Sequence, residues 1–203
     1  MRKFVRVETP AILAEKWEEW GREWEERRRV TANAEFHWHK VDKVPVNQMI
    51  LPELKRQFQE HCSFCDNYPI SPPSIDTIEH FRPKTKYHRE AYQWENLYYC
   101  CAFCQRKGAG FDDALLRPDA EDYTFERYFR CDYTTGNIEV NEQATAEDQN
   151  RARTTLRLYD LNNGHPSLRK RELYQRRKMP DHALDDFAYR DFVGSPVSPI
   201  VNL

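Results

Sequence analysis

Two Cys-x-x-Cys pairs are the residues in this chain whose spacing points most directly to chemistry. Cys62 and Cys65 form the first pair, and Cys101 and Cys104 form the second. Four thiolates in two such pairs are the ligand set that tetrahedral Zn²⁺ prefers, and a complete set leaves no open coordination position for catalysis. We therefore expect a structural zinc ion held by these four cysteines. Cys100 adjoins the second pair and could compete, but the two-residue spacing favours Cys101 and Cys104.

The segment between the two pairs has to supply any catalytic group. Thr77 to Phe81 is predicted to be a strand, which would place the side chains of Glu79 and His80 on opposite faces. Asn96 precedes the second cysteine pair, and Gln105 follows it directly. An acid, an imidazole and two amides within one zinc-closed unit form a candidate active site.

The order of these motifs resembles that of the HNH endonucleases. The pattern is Cys-x-x-Cys, Glu-His-Phe-x-Pro-Lys, Trp-x-Asn-Leu and Cys-x-x-Cys-x-x-x-Lys. That family has a ββα-metal module, in which a hairpin and a helix hold a catalytic divalent ion between them. The segments 80–84 and 91–97 look like the HNH subfamily of Septu-type and retron-linked anti-phage systems. Segments 158–162 and 168–171 are similar to the helical C-terminal part of that subfamily.

The resemblance implies a role for each matching residue. His80 matches the general base that activates water, and Glu79 matches the acidic ligand of a catalytic Mg²⁺ or Mn²⁺ ion. Asn96 matches the asparagine that braces the loop and orients the histidine. Gln105 stands where the family usually has Asn or His as the second metal ligand, and its extra methylene moves the amide oxygen. His88 could substitute as a ligand if its loop folds back, the alternative being a free surface histidine.

Basic residues near the predicted site are candidates for contacts with substrate phosphates. These are Arg82, Lys84 and Lys107. The two lysines could equally be ordinary solvated charges. A second basic cluster runs from Ser167 to Met179, where six basic residues face one Glu. It is predicted to be a helix and could bind nucleic acid.

Composition sets limits on the class of protein. The chain has 203 residues, of which 39% are apolar, 32% charged and 13% aromatic, which predicts one modest core with long solvated helices. The formal net charge of −2 does not by itself indicate a nucleic-acid partner. No apolar run reaches membrane-spanning length, and the first residues lack the apolar region of a signal peptide. We therefore expect a cytoplasmic protein with no membrane partner.

The N-terminal part is predicted to be helical. Thr9-Pro10 reads as the start of a helix, in which Leu13, Trp17, Trp20 and Trp24 share one face that is buried as core or docked on a partner. A second helix is predicted from Leu51 to His61. The His37-x-His39 pair between them would bind metal only if extended, and a surface or partly buried histidine is the competing interpretation.

The C-terminal part is predicted to contain a hairpin and helices. Tyr128 to Val140 alternates around a Thr-Gly-Asn turn and predicts a β-hairpin, with Cys131 as a buried thiol. Thr145 is predicted to cap a third helix. Residues 181–192 are predicted to form a short acidic and aromatic helix that could dock a partner, followed by an irregular tail.

The predicted fold class is α+β. A zinc-stapled ββα-metal core is expected at 51–110, between an N-terminal helical extension at 1–50 and a β-hairpin and helical region at 111–203. The resemblance implies a metal-dependent HNH endonuclease that cleaves nucleic-acid phosphodiester bonds, acting as effector beside an ATPase subunit in an anti-phage complex. The alternative is a zinc-stapled nucleic-acid-binding or scaffold subunit with weak or lost catalysis.

Overall fold

The computed structural model describes residues 1–70 and 77–194. Within them the fold is mixed α and β, as predicted. The helices are α1 (Ala11–Val30), α2 (Val46–Gln57), α3 (Phe125–Tyr128), α4 (Ala146–Leu158), α5 (Pro166–Lys178) and α6 (Arg190–Val193). The strands are β1 (Lys40–Val41), β2 (Val44–Pro45), β3 (Thr77–His80), β4 (Leu97–Cys100), β5 (Phe129–Cys131) and β6 (Ile138–Val140). They form three separate antiparallel pairs, β1–β2, β3–β4 and β5–β6.

Helix α1 begins at Ala11, directly after Pro10, and buries its tryptophan face inside the chain. Leu13, Trp20 and Trp24 are buried, and Trp17 is half-buried. This confirms the interpretation of the stripe as core, and it means that these rings are not available to dock a partner. One turn of 3₁₀ helix, His88–Tyr92, packs against α1.

The approach between α1 and this 3₁₀ turn is closest at Gly21. A Cβ atom placed on Gly21 would lie 2.2 Å from the backbone oxygen of Arg89. Only a residue without a side chain leaves room for that carbonyl. The indole Nε1 of Trp24 also donates a hydrogen bond of 2.8 Å to the backbone oxygen of Lys84. The N-terminal helix therefore fixes the backbone that follows β3.

Helix α2 differs from its prediction. It runs from Val46 to Gln57 instead of from residue 51 to residue 61, so Pro52 lies inside it. Val46, Ile50 and Leu54 are buried at a spacing of four residues, and this apolar stripe outweighs the local preference of proline for a first turn. The predicted segment boundary at residue 50 falls within this helix.

The predicted hairpin and third helix are confirmed. β5 and β6 pair with Cys131 opposite Ile138, and Cys131 itself is half-buried. The Thr145 hydroxyl accepts a hydrogen bond of 3.1 Å from the backbone N–H of Asp148, which caps the first turn of α4.

The C-terminal segment differs from its prediction. In place of one helix over 181–192 there is a 3₁₀ turn, Leu184–Asp186, and the short helix α6. Phe187, Tyr189 and Phe192 are buried, so the aromatic side chains of this segment cover the protein's own surface and do not form an exposed docking face. The predicted irregular tail lies, apart from Gly194, outside the described residues.

Residues from all three predicted segments pack together in one core. One cluster of buried apolar side chains extends from Met1 to Leu161, and a second lies around Leu173 and Phe192. No helix in 1–70 or 77–194 is long and apolar enough to cross a membrane.

Candidate functional site

The four predicted cysteines lie together. The Sγ atoms of Cys62, Cys65, Cys101 and Cys104 are within 4.8 Å of one another, and all four residues are buried. Four buried thiols at this separation could hold a structural zinc ion. Cys100 is also buried, but its Sγ is directed to the backbone oxygen of Cys101 at 3.3 Å. The four thiols that lie within this separation are those that the spacing rule predicted.

A buried ion pair fastens the first cysteine pair to the C-terminal segment, and sequence patterns did not reveal it. Asp66 directly follows Cys65, and its carboxylate accepts hydrogen bonds from the Arg190 guanidinium at 2.7–3.2 Å. The backbone N–H of Arg190 donates to the same carboxylate at 2.6 Å. The two side chains are 3% and 6% exposed. This ion pair joins residues 124 positions apart in the sequence, and it holds the backbone that follows the first cysteine pair.

The β3–β4 hairpin carries the other predicted residues. Glu79 pairs with Tyr98 and His80 with Leu97 across the two strands. A pocket of about 220 Å³ opens at the end of β3, and the residues that line it include Glu79, His80, Lys84, Thr85 and Gln105. We expected Glu79 and His80 to point to opposite faces. Both line the pocket, because β3 ends at His80 and the chain turns there.

The geometry of His80 determines which ring nitrogen carries the proton. Its Nε2 lies 3.0 Å from the backbone oxygen of Ala91, and because a carbonyl only accepts, Nε2 must donate. Nδ1 then has a free lone pair, and it has no hydrogen-bond partner among the described residues. The rings of Phe36 and Trp38 lie 5.6 and 5.5 Å from the imidazole. Burial, reinforced by Lys84, lowers the pKa of His80 to about 3, so the ring is neutral at pH 7.

Lys107 is placed differently from its prediction. Its side chain is fully buried, and Nζ lies 2.8 Å from Glu79 Oε1. Nζ also donates to the backbone oxygens of His80, Phe81 and Gly110 at 3.1–3.3 Å. A lysine enclosed in this way does not reach a substrate phosphate, so its predicted role is wrong. It instead supports the carboxylate and the turn after β3.

Glu79 is a buried carboxylate with one oxygen incompletely satisfied. Burial raises the pKa of Glu79 to about 7, although Lys107 opposes this shift. Since the three donors of Lys107 Nζ serve three carbonyls, Oε1 has an ion-pair neighbour but no hydrogen bond of proper geometry. This oxygen is buried and already faces one cation, the Lys107 ammonium.

Gln105 also lines the pocket and lies in a 3₁₀ turn, Cys104–Lys107. Its Nε2 donates a long bond of 3.4 Å to the backbone oxygen of Ile78, which leaves the amide oxygen as a free acceptor. A carboxylate and an amide oxygen on one pocket are hard ligands of the kind that Mg²⁺ and Mn²⁺ accept. Glu79 and Gln105 are therefore the residues of this pocket that could hold a divalent ion.

Asn96 braces the loop between β3 and β4. Its Oδ1 accepts from the backbone N–H of Arg82 at 2.7 Å, and its Nδ2 donates to the backbone oxygens of Arg82 and Glu90 at 3.0 Å each. These contacts are of the kind that the motif resemblance implies. Because the loop continues to Ala91, whose oxygen binds His80, they also help to orient the imidazole.

The remaining predicted residues are placed as follows. The guanidinium of Arg82 is bound to Glu90 at 3.0 Å. Lys84 lines the pocket and has no ion-pair partner in the described part of the chain. His88 bonds to the backbone oxygen of Thr85 and packs on Trp24, and it is not itself among the residues that line the pocket. His37 and His39 lie beside Glu35 and Glu23 and do not join a metal cluster among the residues described.

The chain was also compared with known proteins. No protein-family model matches it. No curated protein is similar to it either. Its function is therefore argued from the pocket itself and from the order of its motifs.

Proposed function

We propose that this chain is a metal-dependent endonuclease that hydrolyses phosphodiester bonds at the Glu79–His80–Gln105 pocket. The observation that carries the proposal is the ring of His80, a residue that lines the pocket: Nε2 is committed to the Ala91 carbonyl, and Nδ1 has no hydrogen-bond partner among the described residues. A neutral imidazole in that state can take a proton from a water molecule.

Substrate binding would change the proton affinity of His80. A phosphate in the pocket would bring negative charge close to the ring, which favours the protonated imidazolium and raises its proton affinity. Lys84 lies on the pocket wall and would pair with the same phosphate. Binding of the substrate would therefore strengthen the base at the moment when it is used.

Glu79 and Gln105 would hold the divalent ion. When bound, such an ion stabilises the charge that develops on the phosphate and on the leaving oxygen. In this proposal the two-stranded hairpin and the single 3₁₀ turn that follows it would take the place of the ββα-metal module, and their order along the chain supports the HNH assignment that the motifs imply. The four-cysteine cluster closes this unit and takes no part in the reaction.

A nuclease assay tests the proposal. Purified protein with checked zinc content would be incubated with plasmid, duplex and single-stranded oligonucleotides and total RNA, in Mg²⁺ or Mn²⁺. His80→Ala should abolish metal-dependent cleavage and keep its zinc, whereas His37→Ala, which changes an exposed histidine outside the pocket, should cleave normally. Equal cleavage by the wild-type chain and His80→Ala at equal zinc content would refute the assignment.

One observation favours the second candidate, a zinc-stapled nucleic-acid-binding or scaffold subunit. The ammonium of Lys107 already lies against the proposed metal ligand Glu79. If it keeps divalent ions out, the pocket binds phosphate without cutting. Absence of products on every substrate and metal, together with retained oligonucleotide binding, would establish this alternative.

The motif resemblance also implies an ATPase partner in an anti-phage complex, and we propose one on that ground alone. The tryptophan stripe and the C-terminal aromatic segment are buried, so a partner must use other surfaces. Co-purification with neighbouring gene products tests this, and a chain that cleaves at full rate alone would argue against regulated assembly.

A further inference from the structure

Helix α5 exposes a basic face that the pocket does not use. The exposed side chains on it are Lys170, Arg171, Tyr174, Arg177 and Lys178. They are spaced at i, i+1, i+4, i+7 and i+8, which places them on one side of the helix with the tyrosine at the centre. Arg169 and Leu173 lie on the buried side instead. Arg169 is fully buried and binds the backbone oxygens of Gly136 and Leu161, so it is not available to a ligand.

The cations of this face lack acidic partners. None of the four forms an ion pair with a residue in 1–70 or 77–194, and Lys170 makes one hydrogen bond, to the backbone oxygen of Thr134. On α1, by contrast, Lys16 and Arg29 are each paired with a glutamate of the same helix. Four unpaired positive charges on one helix face complement a row of phosphates.

Two exposed aromatic rings accompany these charges. Tyr174 is 58% exposed and Phe103 is 41% exposed. Each has a cation near its ring, Lys178 Nζ at 5.4 Å from Tyr174 and the Arg106 guanidinium at 4.7 Å from Phe103. Exposed rings beside cations are the elements on which unpaired bases stack while the backbone is neutralised.

The two rings are connected through the start of α5. Phe103 lies two residues before Gln105 of the pocket, and its ring is 5.6 Å from that of His165. Tyr174 is nine residues further along the chain, about 13 Å at the rise of an α-helix. Nine residues are two and a half helical turns, so Tyr174 lies on the other side of α5 from His165, and a single strand that contacts both rings would have to pass partly around the helix.

We infer that Phe103, Arg106 and the basic face of α5 form a binding track for single-stranded nucleic acid. The strand lays its phosphates on Lys170, Arg171, Arg177 and Lys178 and stacks bases on Phe103 and Tyr174. Duplexes bind less well, because their bases are not free to stack. As a route to the pocket this track rests on the proposed endonuclease function, but the binding itself does not require cleavage.

The test measures binding by fluorescence anisotropy, with labelled oligothymidine and oligouridine, in Mg²⁺-free buffer at several salt concentrations. Arg171→Gln/Arg177→Gln removes two unpaired charges from α5, and Lys16→Gln/Arg29→Gln removes two paired charges from α1 as the matched control. Affinity falls as the salt concentration rises. Losing two phosphate contacts should make the plot of log affinity against log salt concentration less steep by about 1.4. Tyr174→Ala should weaken binding roughly five- to a hundredfold, the range that base–aromatic stacking spans, while Tyr174→Phe should not.

The outcomes separate the two proposals. Equal affinity and salt slope for the α5 variant and its α1 control would overturn the track, as would a duplex that binds as tightly as single strands. Loss of binding in the α5 variant supports it, even if no substrate is cut and the nuclease assignment fails. If His80-dependent cleavage occurs but the α5 variant binds and cuts normally, the nuclease stands and the track is refuted. Preference for one of the two oligonucleotides would show whether RNA or DNA is the ligand.

Discussion

Replacing Arg190 by methionine tests how strongly the C-terminal segment holds the cysteine cluster. The substitution keeps much of the side-chain length and removes the charge. It deletes the guanidinium bonds to Asp66 at 2.7–3.2 Å and a further bond to Asp185 at 2.8 Å. The Asp66 carboxylate, 3% exposed, then keeps one donor among the described residues, the backbone N–H of residue 190.

The structure allows the size of the effect to be worked out. Removing one partner of a buried pair costs about 3–5 kcal/mol, because the other charge stays desolvated. Protonation limits that cost, since neutralising an ordinary aspartate at pH 7 requires about 4 kcal/mol. We therefore expect Arg190→Met to lower the free energy of unfolding by about 3–4 kcal/mol.

Urea unfolding of zinc-loaded protein, followed by tryptophan fluorescence, measures this difference. The partner substitution Asp66→Asn and the double variant complete a double-mutant cycle, in which the double variant should lose much less than the sum of the single ones. Arg29→Met, which breaks the exposed pair with Glu26, should leave the unfolding midpoint unchanged. A loss below about 1 kcal/mol for Arg190→Met, or additive single effects, would refute the reasoning.

Three further predictions follow from other parts of the molecule. Gly21→Ala should destabilise the protein although alanine favours helices by about 1 kcal/mol, because its Cβ would overlap the Arg89 carbonyl; a rise in melting temperature would contradict the close packing. His165→Gln should reduce the loss of stability that accompanies a fall in pH from about 6.5 to 4. Burial lowers the pKa of His165 to about 4, so as the pH falls the unfolded chain binds this proton before the folded chain does, which favours unfolding. The free energy of unfolding of both proteins is measured at pH 5 and pH 7, and the effect is at most about 3 kcal/mol. The same difference between the two pH values in the wild-type chain and in the variant would count against this prediction. Cys65→Ser should lower bound zinc and stability together, as metal analysis and calorimetry would report; full zinc occupancy would place the ion elsewhere.

Local signals in the sequence were sufficient to predict the four-cysteine cluster and several elements. The two-residue cysteine spacing, the Thr145 cap and the alternation around the 129–140 turn are each determined within a few residues. The candidate catalytic residues also came from short motifs. The structure adds that Glu79, His80 and Gln105 line one pocket.

Contacts between distant residues could not be predicted in this way. Lys107 looked like a surface charge because nothing adjacent to it shows that the turns after β3 and at Gly110 close over it. Asp66 and Arg190 are separated by most of the chain, and no periodic pattern connects them. The start of α2 was misplaced because proline marks a local preference, whereas burial of Val46 depends on the whole core.

The close packing of α1 on the 88–92 turn determines which fragments of this protein could keep the geometry of His80. The Ala91 oxygen that sets the tautomer of His80 lies on the turn that α1 holds at Gly21. A fragment that begins at residue 51 would contain every motif residue of the proposed nuclease and yet lack the helix that holds this carbonyl in place. The smallest unit that could carry the proposed nuclease is therefore larger than its motif, and in that proposal N-terminal truncation would misalign the proton acceptor His80.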